Sequence, residues 1–145
     1  MARAIFSIVA GLIVAVAIVF AMNTLSHTIH PPPPGVDLAN PEALRALIAD
    51  LPVTAFLVIL LGWTLGAGFG AYIAVYVAKR AVRWTGYLVG TLVLIASLYN
   101  LFTIPHPVWF FVAAVVGVPI ATWLGTHFGY AGGVGTSPMT PAPAA

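Results

Sequence analysis

The sequence contains no cysteine and very few charged residues. Five basic and three acidic side chains amount to 6% of its 145 residues, whereas roughly a quarter of the residues in a soluble globular domain are charged. The absence of cysteine excludes disulfides, thiol chemistry and iron–sulfur ligation. Hydrophobic residues make up 61% of the chain, and the mean hydropathy is +1.07. This composition indicates an integral membrane protein.

Four uncharged stretches take up most of the chain, at residues 4–25, 53–78, 84–102 and 108–128. Each has the length of a membrane-spanning helix, which needs about 20 apolar residues. We therefore expect an all-α membrane protein with four antiparallel transmembrane helices in one domain, residues 1–129. Residues 26–52 form its outer loop, and residues 130–145, rich in small residues and proline, are expected to be a disordered tail.

The charged residues are sorted by sign. All three acids lie between the first and second stretches, whereas four of the five basic residues lie before the first stretch or between the second and third: Arg3, Lys79, Arg80 and Arg83. Because lysine and arginine accumulate in cytoplasmic loops, we predict a multi-pass protein of the inner (plasma) membrane with both termini in the cytoplasm. Basic residues in this role do not imply a nucleic-acid partner.

The outer loop carries two local signals. Four prolines, Pro31–Pro34, follow His30, and proline disfavours helical geometry in the residue before it, so the first helix should end near Ile29 or His30. Further along, Asn40 and Pro41 are typical of a helix start. The apolar residues that follow recur at helical spacing, which predicts a short amphipathic helix lying on the membrane or capping the bundle: Leu44, Leu47, Ile48 and Leu51.

A stripe of small residues runs along the second long helix, with one small residue at every fourth position. A shorter pair follows in the third helix, and the full set is Gly62, Gly66, Gly70, Ala74, Gly86 and Gly90. Small side chains let two helix backbones approach closely within a membrane. The stripe therefore predicts close packing, either of the second helix on the third or of the protein on another subunit.

Polar side chains collect at the outer end of the predicted bundle. Asn23, His27, Asn100 and His106 all fall there and are our candidate ligand-binding residues. Three histidines, His27, His30 and His106, together with the loop carboxylates offer ligands that Zn²⁺ or Cu²⁺ accept. The alternative is that these histidines bond loop carbonyls or lie among lipid head groups. Trp109, Phe110 and Phe111 are expected at the same outer interface.

Several kinds of chemistry lack the residues they need. No aspartate, glutamate, lysine or arginine falls inside the four stretches, which argues against a proton-coupled pump. The sequence contains no G-x-S-x-G, H-E-x-x-H or phosphate-binding-loop pattern, each of which marks a known catalytic or nucleotide-binding arrangement. We therefore expect a protein that is not an enzyme and that has no cofactor.

Two segments, together with the glycine-rich second helix that ends in Lys79-Arg80, resemble small, uncharacterised bacterial inner-membrane proteins with four helices. The first is the run His27-Thr28-Ile29-His30-Pro31-Pro32-Pro33, and the second is Pro105-His106-Pro107-x-Trp109. In those proteins a histidine ends the first helix just before a proline run, and a proline–histidine turn precedes the fourth helix. The resemblance implies the same architecture and brings no known activity with it.

These observations lead to one main functional hypothesis and two alternatives. The small-residue stripe favours an accessory or scaffold subunit that acts through close helix packing in the lipid bilayer, as a homo-oligomer or with a partner membrane protein. The first alternative is a small-solute channel or transporter with an outer vestibule at the candidate ligand-binding residues. The second is a membrane protein that binds a metal at the three outer histidines.

Overall fold

A computed structural model describes residues 2–31, 33, 35, 40–78 and 82–134. Within these residues the chain forms five α-helices and no strand: α1 Ala2–Ile29, α2 Pro41–Ala49, α3 Val53–Ala78, α4 Arg83–Thr103 and α5 Val108–Val134. Four of the helices, all except α2, are long and apolar enough to cross a membrane. The predicted all-helical architecture with four candidate membrane spans is confirmed at this level.

The helix ends follow the local signals with one difference. Helix α1 ends at Ile29, as the proline run predicts. Helix α2 begins at Pro41, and the Asn40 side chain accepts a hydrogen bond of 2.9 Å from the backbone N–H of Glu42. Helix α5 continues to Val134, beyond residue 128 where the fourth stretch was expected to end. Tyr130 helps to explain this extension, because its ring lies 4.1 Å from the guanidinium carbon of Arg83.

Several predicted features lie outside the described residues. They are Asp37, the prolines at 32 and 34, the Lys79-Arg80 turn and residues 135–145 of the predicted tail.

Helix α3 is the centre of the bundle and uses its small-residue stripe to contact α1. A Cβ added at Gly66 would lie 2.9 Å from Val19 Cγ2, and one added at Gly70 would lie 2.8 Å from Ala15 Cβ. Gly62 faces Met22 in the same way. The stripe was expected to face the third long helix or another subunit. The structure shows its glycines mainly against the first long helix, although a Cβ at Gly70 would also lie 3.1 Å from Val89 in α4 and one at Gly86 would lie 3.1 Å from the Ala71 carbonyl in α3. The reason is that α1 has small residues of its own at matching levels.

Small residues also join α5 to its neighbours. A Cβ at Gly86 would lie 2.5 Å from Thr126 Oγ1, and one at Gly90 would overlap the side chain of Thr122. A Cβ at Gly125 would overlap the backbone carbonyl of Gly68. These contacts bring α4 and α5 close together and bring α5 close to α3 along the half of the bundle that contains Arg83.

The opposite half has a core of large side chains. Its buried cluster consists of Phe56, Trp63, Ala67, Leu101, Phe110, Ala114 and Val118. Phe110 is completely buried, so its expected place at the membrane interface is wrong. The cause is its position under the chain turn that precedes α5, where the ring of His106 stacks on it with centroids 4.9 Å apart.

Candidate functional site

A cavity of about 590 Å³ occupies the end of the bundle that contains His106. Its walls come from the last turns of α1 and α4, the first turns of α3 and the turn before α5. All four candidate ligand-binding residues line it, and His30 does so as well. The complete set of polar side chains on its described wall is Asn23, Ser26, His27, His30, Asp50, Asn100 and His106. We call this space the histidine cavity.

Helix α2 covers the histidine cavity with its apolar face. The four leucine and isoleucine residues predicted to share that face, Leu44, Leu47, Ile48 and Leu51, all line the cavity. No Cα atom of α2 lies within 8 Å of a Cα atom of the four long helices, so the cap is separated from the bundle by the cavity itself. Ile48 and Leu51 reach across and pack against the large-residue core. This placement over the end of the bundle is consistent with the predicted cap.

His106 is the most constrained polar side chain of the cavity. Its Nδ1 lies 2.7 Å from the backbone carbonyl of Ile104, and because a carbonyl only accepts, Nδ1 carries a proton. Phe56, Trp63 and Phe110 surround the ring. Burial lowers the pKa of His106 below its ordinary value, against a smaller opposing effect of the bond to Ile104. The ring is therefore neutral at neutral pH, with an acceptor lone pair on Nε2.

The other two histidines of the cavity are held differently. His30 lies just beyond α1, where its backbone N–H bonds the carbonyl of Ser26 at 2.9 Å and its Nε2 lies 3.1 Å from Thr54 Oγ1. His27 is exposed on the last turn of α1. Among the described residues, no three histidine, aspartate or glutamate side chains come close enough together to hold a metal ion. The three histidines therefore line one cavity without being grouped as metal ligands among the described residues.

Large side chains close the histidine cavity from below. Phe56 and Trp63 are 4% and 5% exposed and both line it. Their rings pack against Phe110, with centroids 5.6 Å and 5.4 Å away. Further along α3, Gly68 and Ala121 bring the backbones of α3 and α5 together. In the described chain the cavity is therefore a pocket with a floor, which suits binding of a molecule better than its passage.

A narrower groove of about 320 Å³ continues from the cavity along the outside of the bundle, between α1 and α4. It shares Asn23, Trp63 and Asn100 with the cavity. Its remaining lining is formed by the side chains Ala15, Val16, Val19, Phe20, Val93, Ala96 and Ser97. We call this the α1–α4 groove. The two helices both pack on α3, and they approach each other closely near Gly11 and Val89, below the groove.

The sequence reasoning missed several residues of the site. Ser26 is buried and its hydroxyl lies 3.4 Å from the carbonyl of Ala55, and Trp63 forms the floor. Ser26 precedes His27 directly, so the same end-of-helix argument would have found it. Trp63 gave no such signal, because a tryptophan in an apolar stretch is also typical of simple core packing.

No protein-family model, curated protein or solved structure matches this chain. The function is therefore inferred from the cavity. A partly open cavity of this size, mostly apolar with a few polar groups, has the properties of a site for a small organic molecule.

Proposed function

We propose that this protein is a non-enzymatic membrane protein that binds a small, uncharged organic molecule in the histidine cavity. The observation that carries the proposal is the convergence of Asn23, His27, Asn100 and His106, which come from three separate parts of the chain, on one cavity with a closed floor. The two carboxamides can donate and accept hydrogen bonds, and neutral His106 can accept one. The surrounding apolar walls would hold the rest of the molecule.

The proposal includes an orientation in the inner (plasma) membrane, with four antiparallel spans, both termini in the cytoplasm and the cavity on the outer side. Arg3 Nε lies 3.3 Å from the carbonyl of Val77, and Arg83 lies over Tyr130. The basic residues of α1 and α4 are thus at the end opposite Asp50 and the cavity. This distribution supports the positive-inside orientation, and the pairing of Gly11 with Gly70 and of Met22 with Gly62 supports antiparallel packing of α1 and α3.

The closed floor favours binding over conduction by a single chain. A channel or transporter would need a polar path beyond Trp63 and Phe110, where the described core is apolar. The accessory-subunit hypothesis stays a prediction. Its original observation, the small-residue stripe of α3, is accounted for by contacts within the chain, so a partner would have to use another surface.

Mass spectrometry of the intact, detergent-purified protein tests the proposal. We expect the wild-type protein to retain a small molecule and the double variant Asn23→Leu, Asn100→Leu to lose it, because leucine keeps the side-chain size and removes the hydrogen-bonding groups. The matched control is Ala17→Leu, at an exposed position of α1 that does not line the cavity.

Two results would count against binding in the cavity. One is a wild-type spectrum without any retained molecule. The other is equal retention by wild type and the double variant, which would place the molecule elsewhere on the protein.

A further inference from the structure

The α1–α4 groove gives the histidine cavity an apolar extension that faces the membrane. The two spaces meet at Asn23, Trp63 and Asn100, so a molecule seated in the cavity can continue into the groove without leaving the protein surface. From Asn23 back to Ala15 the groove follows α1 for eight residues, or about 12 Å at ~1.5 Å per residue. That length is most of one leaflet, since the hydrocarbon core is about 30 Å thick.

Polarity changes sharply where the two spaces meet. The cavity side carries the carboxamides of Asn23 and Asn100 and the histidines. The groove is lined by alanine, valine and phenylalanine, apart from the buried hydroxyl-bearing Ser97. A molecule that fits both spaces has a polar head and one hydrocarbon chain.

The charges near the cavity select the kind of head group. None of its described lining residues is a lysine or arginine, and Asp50 is the one carboxylate among them. In the sequence, Arg45 is the sole lysine or arginine between the first and second stretches. It does not line the cavity but a neighbouring cleft, which shares Ile48, Leu51, Phe56 and His106 with it. A phosphate or carboxylate head would therefore meet no lysine or arginine in the cavity, whereas hydroxyl groups would find acceptors and donors.

We propose that the histidine cavity and the α1–α4 groove together bind an uncharged, hydroxyl-bearing amphiphile, with its head in the cavity and its chain in the groove. This inference rests on the proposed function and names the class of molecule that the cavity takes. The hydroxyl groups would bond the carboxamides of Asn23 and Asn100 and the Nε2 acceptor of His106, and the chain would lie against Ala96 and Val19.

The test uses Trp63 as a reporter, because it lines both spaces. The full-length protein, with Trp84, Trp109 and Trp123 replaced by phenylalanine, is placed in phosphatidylcholine nanodiscs. A 1-monoacylglycerol with a brominated chain is then titrated, since bromine quenches tryptophan fluorescence on contact. We expect saturable quenching by this probe and no saturable quenching by a lysophosphatidylglycerol with the same brominated chain, whose head is anionic.

Two variants locate the chain. Ala96→Leu adds bulk inside the groove and should weaken the apparent affinity of the monoacylglycerol by about tenfold, the cost expected for overfilling a packed space. Ala17→Leu makes the same change on the exposed face of α1 and should leave the affinity unchanged. Circular dichroism checks that both variants keep the helical content of the parent.

Any one of the following outcomes would overturn the inference. The anionic probe quenches as well as the uncharged one, Ala96→Leu behaves like Ala17→Leu, or Ala96→Leu abolishes a crosslinked oligomer, in which case a helix of a second copy occupies the groove. If the mass spectrum of the wild-type protein shows a retained molecule without a hydrocarbon chain, the proposed function stands and the amphiphile inference fails. If neither probe gives saturable quenching, the inference fails as well.

Discussion

The two ends of this bundle are built largely from different side chains. At the end that contains Arg83, glycine, alanine and threonine bring helix backbones together, as where a Cβ at Gly125 would overlap the carbonyl of Gly68. At the end that contains His106, large rings such as Trp63 and Phe110 form the core and leave a cavity of about 590 Å³ above them. Close packing at one end holds the helices firmly enough for the other to remain open.

The largest effect is expected where two backbones touch. Gly125→Ala places a methyl group against the backbone of Gly68, which cannot move aside as a side chain can, so we expect a loss of about 3 kcal/mol or more in the free energy of unfolding. Gly132→Ala in the same helix is the matched control. Its added Cβ would find its nearest heavy atom at 3.7 Å, and alanine is the better helix former by up to about 1 kcal/mol. Denaturant-induced unfolding in detergent measures the free energy of unfolding of both variants. If the two variants were equally stable, close backbone packing at Gly125 would be refuted.

The next largest effect is expected at Gly66, where a substitution distinguishes helix packing within one chain from assembly of several chains. A Cβ at Gly66 would meet Val19 Cγ2 at 2.9 Å and the carbonyl of Ala15 at 3.0 Å, both in α1 of the same chain. We expect Gly66→Ala to cost about 1–3 kcal/mol and the larger Gly66→Leu to cost more, even at dilutions where the protein is monomeric. Size-exclusion chromatography with unfolding at two protein concentrations checks this. A loss of stability that appears only in an oligomer would show that the stripe serves assembly.

The sequence led to much of this fold for identifiable reasons. The end of α1 followed from Pro31, and the start of α2 followed from the Asn40–Pro41 pair. The apolar face of α2 was read from its spacing. The helix that contacts most of the stripe, α1, was not predicted, because glycine spacing shows that a backbone approaches closely without showing which one. Ser7, Gly11 and Ala15, small and buried at every fourth position of α1, were a signal that could have identified it.

The site was predictable in part. The ends of separate helices and one turn meet at a common membrane level, so Asn23, Asn100 and the histidines could be grouped before any contact was known. The cavity itself could not be predicted, because it depends on the gap between α1 and α4 and on the distance of α2 from the bundle. The burial of Phe110 was missed for a related reason, since an aromatic residue near a helix start fits both an interface and a core.

The smallest effect is a dependence on pH at the cavity end. Burial lowers the pKa of His106 in the folded chain, so the unfolded chain binds that proton at a higher pH. Above the ordinary histidine pKa of about 6.5, His106 is neutral in both the folded and the unfolded chain, and the free energy of unfolding does not depend on its titration. As the pH falls below that value, the unfolded chain takes up the proton first, so the free energy of unfolding decreases. His27, His30 and Asp50 share the cavity with His106, and Arg45 shares the neighbouring cleft.

Melting temperatures of the wild-type protein and of His106→Gln test this effect. We expect the wild type to melt at a lower temperature at about pH 5.5 than at about pH 7.5, and the variant to show a smaller difference. His27→Gln is the control for an exposed histidine of the same cavity. If the melting temperature of His106→Gln depended on pH as strongly as that of the wild type, groups other than His106 would cause the effect.

The most direct test of the open end is thiol labelling in right-side-out membrane vesicles. Because the chain has no cysteine of its own, single variants Asn100→Cys and Thr91→Cys report on two depths of α4, nine residues or about 13 Å apart. A water-soluble maleimide that does not cross membranes is predicted to label the Asn100→Cys variant, whose thiol replaces a side chain that lines the cavity, and to leave the Thr91→Cys variant unlabelled. An unreactive thiol in the Asn100→Cys variant, or equal labelling of both variants, would contradict a closed-floored cavity at the outer surface.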